Sequence, residues 1–375
     1  MPHYPFSPMR LSENTDFRQN KAKNTVLADK IVWNNFKHCP RRGEAYGHAD
    51  YRCVLRQPHN KGIALLTCLV IVAIITISVS KLTATEFLAI RLTQQLIHKE
   101  QAKLYLLGAE SLSQLVLKED GRQTKIDSYQ ENWSNKMPAM PIEGGSIQGQ
   151  LDDLQNKLNL NNLIIDNKVN PHFSQLLIDL LTQQGKLSNN EASLFVQSLT
   201  DWIDSNDKVT LPEGAEDFYY LGLTKPYRCA NTQINDLGEL KIIKGFNEQA
   251  IENIKPYIST LPSGTLLNIN TLSQTLMSLL LPELSSSEVE SIVNTIKKRP
   301  LKDKNKFWSI NEISNLLKNN NDIKNRLNPL LTVKTHYFIL KTEVKLGQLV
   351  INLESILKRD ENNSVSVIKR QTKYY

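Results

Sequence analysis

One stretch of the chain concentrates oxygen donors that could bind a hard metal cation. Six carboxylates and one asparagine lie within the 17 residues from Asp201 to Asp217. Pro212 and Gly214 interrupt this stretch and allow it to fold back on itself. Such a fold is needed because Ca²⁺ takes roughly six to eight oxygen ligands. The candidate calcium ligands are Asp204, Asn206, Asp207, Glu213, Glu216 and Asp217.

The acidic stretch is not an EF-hand. Lys208 stands at the third ligand position, and the glycine of the sharp turn is missing. A simpler interpretation is that Asp204 and Asn206 cap helix ends while the other acids stay solvated. Composition alone does not decide between a metal site and solvated acids.

The sequence gives little support for catalysis or for nucleic-acid binding. His98, His172 and His336 stand in unrelated contexts, and no serine sits in a nucleophile elbow. The phrase Asn268 to Thr271 also occurs in helix-hairpin-helix DNA-binding modules, but the following loop, residues 281–288, has no glycine and carries two acids. A phosphate would be repelled there. We therefore expect neither an enzyme nor a nucleic-acid-binding protein.

A membrane-spanning helix must position the rest of the chain. Gly62 separates a basic flank from 18 uncharged, mostly apolar residues, Ile63 to Ser80. A helix of that length is about 27 Å long, enough to cross the hydrocarbon core. Leucines at helical spacing continue beyond it, so we predict one helix over 63–117 with residues 63–80 in the membrane.

The charge distribution orients this helix. Residues 1–62 carry eleven Lys or Arg against five Asp or Glu, a net +6 of the chain's +7. A basic flank next to an apolar helix stays on the cytoplasmic side. Residues 1–62 are therefore predicted to be a cytoplasmic leader and the remainder an exported body.

The body shows two patterns. Amphipathic helical spacing runs through residues 151–329, whereas from Leu331 apolar and polar residues alternate in three runs with short turns at Gly347 and at residues 360–363. A glycine-rich segment lies within residues 118–150. We predict an α+β fold in which 118–150 and 330–375 form a small antiparallel sheet and 151–329 form a large inserted all-α domain.

The junction Lys61-Gly62-Ile63 before an apolar helix resembles a type IV prepilin or pseudopilin leader. The resemblance implies that a prepilin peptidase cuts between Gly62 and Ile63, removing 1–62, and that Ile63 is then methylated. Most such proteins carry a glutamate at the fifth position after the glycine, where this chain has Thr67. A subunit without that charge suits a filament tip. An uncleaved single-span anchor is the alternative.

The acidic stretch, followed by Tyr219 to Leu223 and by Pro226 to Arg228, is similar to the signature of the minor pseudopilin K family (GspK) of type II secretion systems. The glycine-rich segment and the terminal strands occur in that family's order. The resemblance implies a pilin-like fold, in which the long N-terminal transmembrane helix packs on the small antiparallel sheet, and a structural Ca²⁺.

The resemblance also implies a role. The subunit would be anchored in the bacterial inner membrane with its body in the periplasm, at the tip of the pseudopilus. It would prime assembly for export of folded proteins across the outer membrane. Its partners would be minor pseudopilins I and J, with H as a further candidate, the prepilin peptidase and the inner-membrane secretion platform. The alternatives are a minor pilin of a type IV pilus or competence system, and a membrane-anchored periplasmic metal enzyme.

Overall fold

The computed structural model describes residues 61–319 and 322–374. The predicted leader lies outside the described residues except for the backbone of Lys61 and Gly62. The chain divides into two units, Met1–Ser78 and Val79–Tyr375, and each is considered by itself. The α-helices of the described residues are α1 (Lys61–Gln123), α2 (Pro171–Gln183), α3 (Asn189–Ile203), α4 (Asp217–Leu221), α5 (Glu248–Ile254), α6 (Gln274–Leu280), α7 (Ser286–Lys298), α8 (Asn311–Asn319) and α9 (Asp322–Leu327).

The strands are short in the middle of the chain and long near its end. They are β1 (Met137–Ile142), β2 (Gly145–Asp153), β3 (Leu158–Asn159), β4 (Ile164–Ile165), β5 (Lys168–Val169), β6 (Ile258–Ser259), β7 (Leu267–Asn268), β8 (Leu331–Thr332), β9 (Tyr337–Leu346), β10 (Leu349–Arg359) and β11 (Val365–Tyr374). Short 3₁₀ helices span Asn132–Ser134, Leu160–Leu163, Leu237–Ile242, Lys255–Tyr257, Lys304–Ser309 and Asn328–Leu330.

The N-terminal part of α1 is apolar around its whole circumference. It is long and apolar enough to cross a membrane, and its side chains are exposed. Three of its hydroxyls bond within the helix: Thr67 Oγ1 donates to the Ala64 carbonyl at 2.9 Å, Thr76 Oγ1 to the Val72 carbonyl at 2.7 Å and Ser78 Oγ to the Ile74 carbonyl at 2.8 Å. Such internal bonding removes the cost of a polar group in lipid.

The second unit is built on a five-stranded antiparallel sheet in the order β1-β2-β9-β10-β11. Alternate residues of β9 and β10 are buried, as the alternating sequence predicts. The C-terminal part of α1 covers that face. Its contacts form two clusters, one containing Ala102, Leu106, Ala109, Ile147, Val344, Leu346, Ile351 and Leu353, and the other containing Leu117, Trp133, Leu151, Phe338, Leu340 and Leu357. The predicted fold class is confirmed.

The ends of the elements differ from the predicted boundaries. Helix α1 continues to Gln123 because polar contacts support its last turn, including a Gln123 to Glu119 hydrogen bond of 2.9 Å. Strand β2 extends to Asp153, beyond residue 150. The five-stranded sheet resumes only at Tyr337, because Leu331–Thr332 pairs instead with β7.

The inserted region between β2 and β9 is mostly helical and has its own apolar core. Helices α2 and α3 contribute Phe173, Leu177 and Phe195 to that core. Helix α3 begins with a capping box in which Ser188 and Glu191 satisfy each other's backbone N–H groups. Three ladders of two-residue strands, β3 with β6, β4 with β5 and β7 with β8, add to the predicted all-α domain.

A buried polar network joins the insertion to the sheet. Asp153 Oδ2 accepts hydrogen bonds from Thr271 Oγ1 at 2.6 Å and Thr335 Oγ1 at 2.7 Å. Nearby, the buried Arg359 guanidinium pairs with Asp127 at 2.6 Å and with Asp120 at 3.0 Å. These contacts link the end of α1, the sheet and the insertion.

Candidate metal centre

The acidic stretch leaves the end of α3 and returns at the start of α4. Asp204 is the C-terminal cap of α3, and Glu216 precedes the first residue of α4. The loop between them folds back closely at Gly214, where a Cβ atom would collide with the Asp201 carboxylate and the Thr210 backbone. Glycine is therefore required there by a close approach.

Asp201 holds this fold in place. Its carboxylate is buried and accepts the Thr210 backbone N–H at 2.9 Å through Oδ1. Asp201 was not among the predicted ligands. Its position within the acidic stretch was visible from the sequence, but its contact with Thr210, nine residues away, was not.

Glu216 is a buried acidic residue with a raised pKa. Its residue is only 3% exposed, and neither carboxylate oxygen has a hydrogen-bond partner among the described residues. The thiol of Cys229 lies nearby but donates its hydrogen bond to the Asp201 carbonyl at 3.5 Å. Burial, together with the charges of Asp201 and Asp204, raises the pKa of Glu216 to about 7, against a smaller lowering by the Cys229 thiol.

Asp204 and Asp207 belong to the same electrostatic group. Burial raises the pKa of Asp204, and the charges of Asp201 and Asp207 add to that shift. Asp204 Oδ1 accepts the Asn206 N–H at 3.1 Å, and Asp207 Oδ1 accepts from Asn231 Nδ2 at 3.1 Å. Carboxylates that oppose one another's ionisation favour a bound cation.

The remaining predicted ligands have protein partners. Asn206 Oδ1 accepts the Lys208 N–H at 2.9 Å, and Asp217 Oδ1 accepts the Cys229 N–H at 2.8 Å. Glu213 is exposed, with Oε2 at 3.9 Å from Lys244 Nζ. The charges of Asp201, Asp204 and Asp207 act on Glu216, but among the described residues no three carboxylates of the acidic stretch lie within 4.8 Å of one another. Asn206, Glu213 and Asp217 have other protein partners.

A second acidic cluster lies at the end of α1 and was missed by the sequence reasoning. Carboxylate oxygens of Asp120, Asp127 and Glu131 lie within 4.8 Å of one another. The Arg359 guanidinium already contacts Asp120 and Asp127, and Glu131 Oε2 accepts the Ser128 N–H at 2.8 Å. The Arg359 guanidinium therefore already supplies positive charge to this cluster.

The predicted processing residues lie at the start of α1. The Ile63 side chain is exposed, and the Gly62 backbone is helical. Thr67 is uncharged and internally hydrogen-bonded. The cleavage at Gly62 and the tip position marked by Thr67 stay predictions.

A long apolar N-terminal helix, whose C-terminal part packs on an antiparallel sheet with a helical insertion, defines a pilin-like subunit. Comparisons with known proteins narrow this class. The family model described as "Type II secretion system (T2SS), protein K" matches residues 156–263, which include the acidic stretch.

Relatives and a solved structure cover much more of the chain. Type II secretion system protein K of Pectobacterium carotovorum subsp. carotovorum is 30% identical over 326 residues, covering 83% of this chain and 96% of the relative. The protein of that name in Pseudomonas aeruginosa is 30% identical over 316 residues, with coverages of 82% and 92%.

The fold resembles a chain in the crystal structure of the GspK-GspI-GspJ complex of the enterotoxigenic Escherichia coli type 2 secretion system. The TM-score is 0.66 and the identity 25%, covering 75% of this chain and 99% of that one. The chain belongs to the type II secretion system protein K family. It is a minor pseudopilin, and its family is a structural component of secretion rather than a family of enzymes.

Proposed function

We propose that this minor pseudopilin forms the tip of the pseudopilus and primes its assembly with minor pseudopilins I and J, for export of folded proteins across the outer membrane. H is a further candidate partner, and the inner-membrane secretion platform supplies the assembly site. The solved relative is a complex of K with I and J, which supports this choice of partners. Both relatives named above are secretion proteins, which favours secretion over a pilus or competence role.

The observation that carries the tip role is Thr67. A carboxylate at membrane depth costs a few kcal/mol unless it is paired. Thr67 has no such charge, and its hydroxyl already bonds to the Ala64 carbonyl. This subunit therefore needs no neighbour above it. The bulky insertion on the sheet would hinder further subunits from adding there.

The partner contact we propose is an exposed apolar stripe on α1. Leu104 is 69% and Leu115 63% exposed, and Leu112 is also exposed. Gly108 lies between them, and a Cβ built on it meets no atom within 4 Å. Residues spaced by three and four share one face of a helix. An apolar face with a glycine in its middle suits close packing against another pseudopilin helix.

Introducing negative charges into the stripe tests this contact. Leu104→Asp combined with Leu115→Asp should abolish co-purification of the full chain with I and J from membranes. Phe218→Asp is the matched control, because Phe218 is 94% exposed on α4 and lies outside the stripe. Retention of I and J by the double variant would contradict the proposal.

Maturation by the prepilin peptidase is the second part of the proposal. The basic leader would stay in the cytoplasm, with the body in the periplasm and the anchor in the inner membrane. The experiment is the intact mass of the membrane-extracted protein, with and without the peptidase. We expect a methylated product beginning at Ile63 only when the peptidase is present. An uncut chain in both strains would favour a membrane-anchored protein of another kind.

The third part is a structural Ca²⁺ in the acidic stretch. The donors are oxygens of a type that calcium prefers. Asp204, Asp207 and Glu216 would hold the ion, and Asp201 would keep the loop closed. The bound charge would remove the mutual repulsion of these carboxylates and fix the loop between α3 and α4. The ion would therefore help to position the insertion at the tip and would take part in no catalytic step.

A further inference from the structure

A cleft of about 390 Å³ lies between the sheet and the insertion. Ile339 and Ile356 line it from β9 and β10, on the face of the sheet opposite α1, since alternate residues of a strand face opposite sides. The 3₁₀ helix Leu237–Ile242 and α5 form the other wall. The volume is in the range of small-ligand sites, about 300 to 1,000 Å³.

The cleft combines an apolar floor with lysines. Ile339 and Ile356 pack on the cluster of Leu154, Leu261 and Tyr337 and form part of the floor. The lining lysines are Lys157, Lys241, Lys255, Lys369 and Lys373. Three have carboxylate partners: Lys255 with Glu252 at 2.9 Å, Lys369 with Asp236 at 2.6 Å, and Lys373 with Glu354 at 3.7 Å.

Lys157 and Lys241 differ from these three. Neither forms an ion pair within 4.0 Å with any residue that the structure describes. Lys157 is half-buried, and burial lowers its pKa. The nearby charge of Lys341 lowers that pKa further, while Asp152 and Glu354 oppose the shift. Lys157 is therefore a partly desolvated cation without an ion-pair partner among the described residues.

A buried hydroxyl that lines the same cleft as Lys157 also lacks a partner. Ser259 lines the cleft and is 5% exposed, and its Oγ makes no hydrogen bond within the described part of the chain. Its strand, β6, pairs with β3, which begins immediately after Lys157. Buried polar groups are normally hydrogen-bonded, so an unbonded hydroxyl at a cleft points to a ligand.

We propose that this cleft binds an acidic side chain carried on an extended apolar segment of a partner protein. The carboxylate would lie against Lys157 and the neighbouring apolar side chains against Ile339 and Ile356. A peptide fits better than a free anion because the cleft is much larger than a phosphate and its floor is apolar. Among its acids only Glu248 has no lysine partner in the described residues, so the open charge is mainly positive.

Peptide binding to the full chain in detergent tests this proposal. The probe is a fluorescein-labelled peptide of alternating Leu and Glu, and its control replaces every Glu by Gln. We expect saturable binding of the Glu peptide by fluorescence anisotropy and much weaker binding of the Gln peptide. Lys157→Gln should weaken the Glu peptide about tenfold, as expected for loss of a charged hydrogen bond. Lys302→Gln, in an exposed loop outside the cleft, should not.

Several outcomes would overturn the proposal. They are equal binding of the two peptides, unchanged affinity in Lys157→Gln, or no saturable binding at all. Displacement of the peptide by inorganic phosphate, with the same dependence on Lys157, would show a small-anion site instead. An unchanged thermal unfolding temperature of Lys157→Gln would show that reduced binding is not caused by misfolding.

Discussion

The Glu216→Gln substitution should stabilise the protein in the absence of calcium and destabilise it in the presence of calcium. Without calcium, the buried carboxylate has no hydrogen-bond partner in the described structure, and the glutamine removes its charge while keeping its shape. The metal-free variant should then be more stable than the wild type above neutral pH. With calcium, the wild type should be the more stable protein, because Glu216 would be a ligand.

The size and sign of the effect follow from the pKa. The folded pKa is about 7, against 4.5 for the unfolded chain. The folded state therefore binds more protons between these values, and stability falls as pH rises through this window. At about 1.4 kcal/mol per pH unit, the ionised side chain costs about 3 kcal/mol above pH 7. The cost vanishes below the unfolded pKa.

The assay is denaturant unfolding of the full chain in detergent, from pH 4 to pH 8, in EDTA and in Ca²⁺. The metal-free wild type should lose about 3 kcal/mol relative to Glu216→Gln across this range. Calcium at about one hundred times its Kd should return about 2.7 kcal/mol to the wild type and less to the variant. Glu290→Gln, at an exposed position of α7, should change neither result.

Two results would refute this reasoning. The first is a metal-free variant that is less stable than the wild type at pH 8, which would mean that the carboxylate makes favourable contacts. The second is equal stabilisation of both proteins by calcium, which would place the ion elsewhere or show that Glu216 is not a ligand.

Three further predictions concern the fold and the proposed calcium site. Arg359→Met should lower the free energy of unfolding by about 3 to 5 kcal/mol, because it leaves the buried Asp127 unpaired; unchanged denaturant midpoints would contradict this. Gly214→Ala should weaken calcium binding measured by calorimetry, since its Cβ would displace the loop; wild-type affinity would show that the loop adapts. Phe173→Ala should cost about 3 to 5 kcal/mol in the same unfolding assay, whereas Phe218→Ala, on the surface, should stay within about 0.5 kcal/mol; equal losses would place Phe218 in a contact.

Local patterns were enough to predict the main elements. The apolar run from Ile63 predicts α1, and strict alternation around Gly347 predicts the hairpin of β9 and β10. The ends of the elements depend on tertiary contacts and were predicted less well. Nothing in Leu331–Thr332 distinguishes pairing with the sheet from pairing with β7, because a two-residue ladder has no period of its own.

The acidic stretch shows what composition can and cannot predict. It locates a candidate centre, but the role of each acid depends on residues far along the chain. Asp217 turns to the Cys229 backbone, and Glu213 lies near Lys244. The Arg359 and Asp127 pair is separated by 232 residues, so no local signal could have found it.

The insertion joins the sheet at a point that separates its own surfaces, the acidic stretch and the lysine cleft, from the helix proposed to take part in filament assembly. It leaves the sheet after Asp153 and returns before Tyr337, on strands that are direct antiparallel neighbours, so Asp153 lies opposite Phe338. The pairing of β2 with β9 therefore does not depend on the insertion. Asp153 also accepts hydrogen bonds from Thr335, where the insertion returns to the sheet, at 2.7 Å, and from Thr271, within the insertion, at 2.6 Å. Because the junction is narrow and fixed, changes in the insertion need not disturb the packing of α1 on the sheet. The acidic stretch and the lysine cleft could consequently be altered while the helix stripe that would contact I and J stays intact.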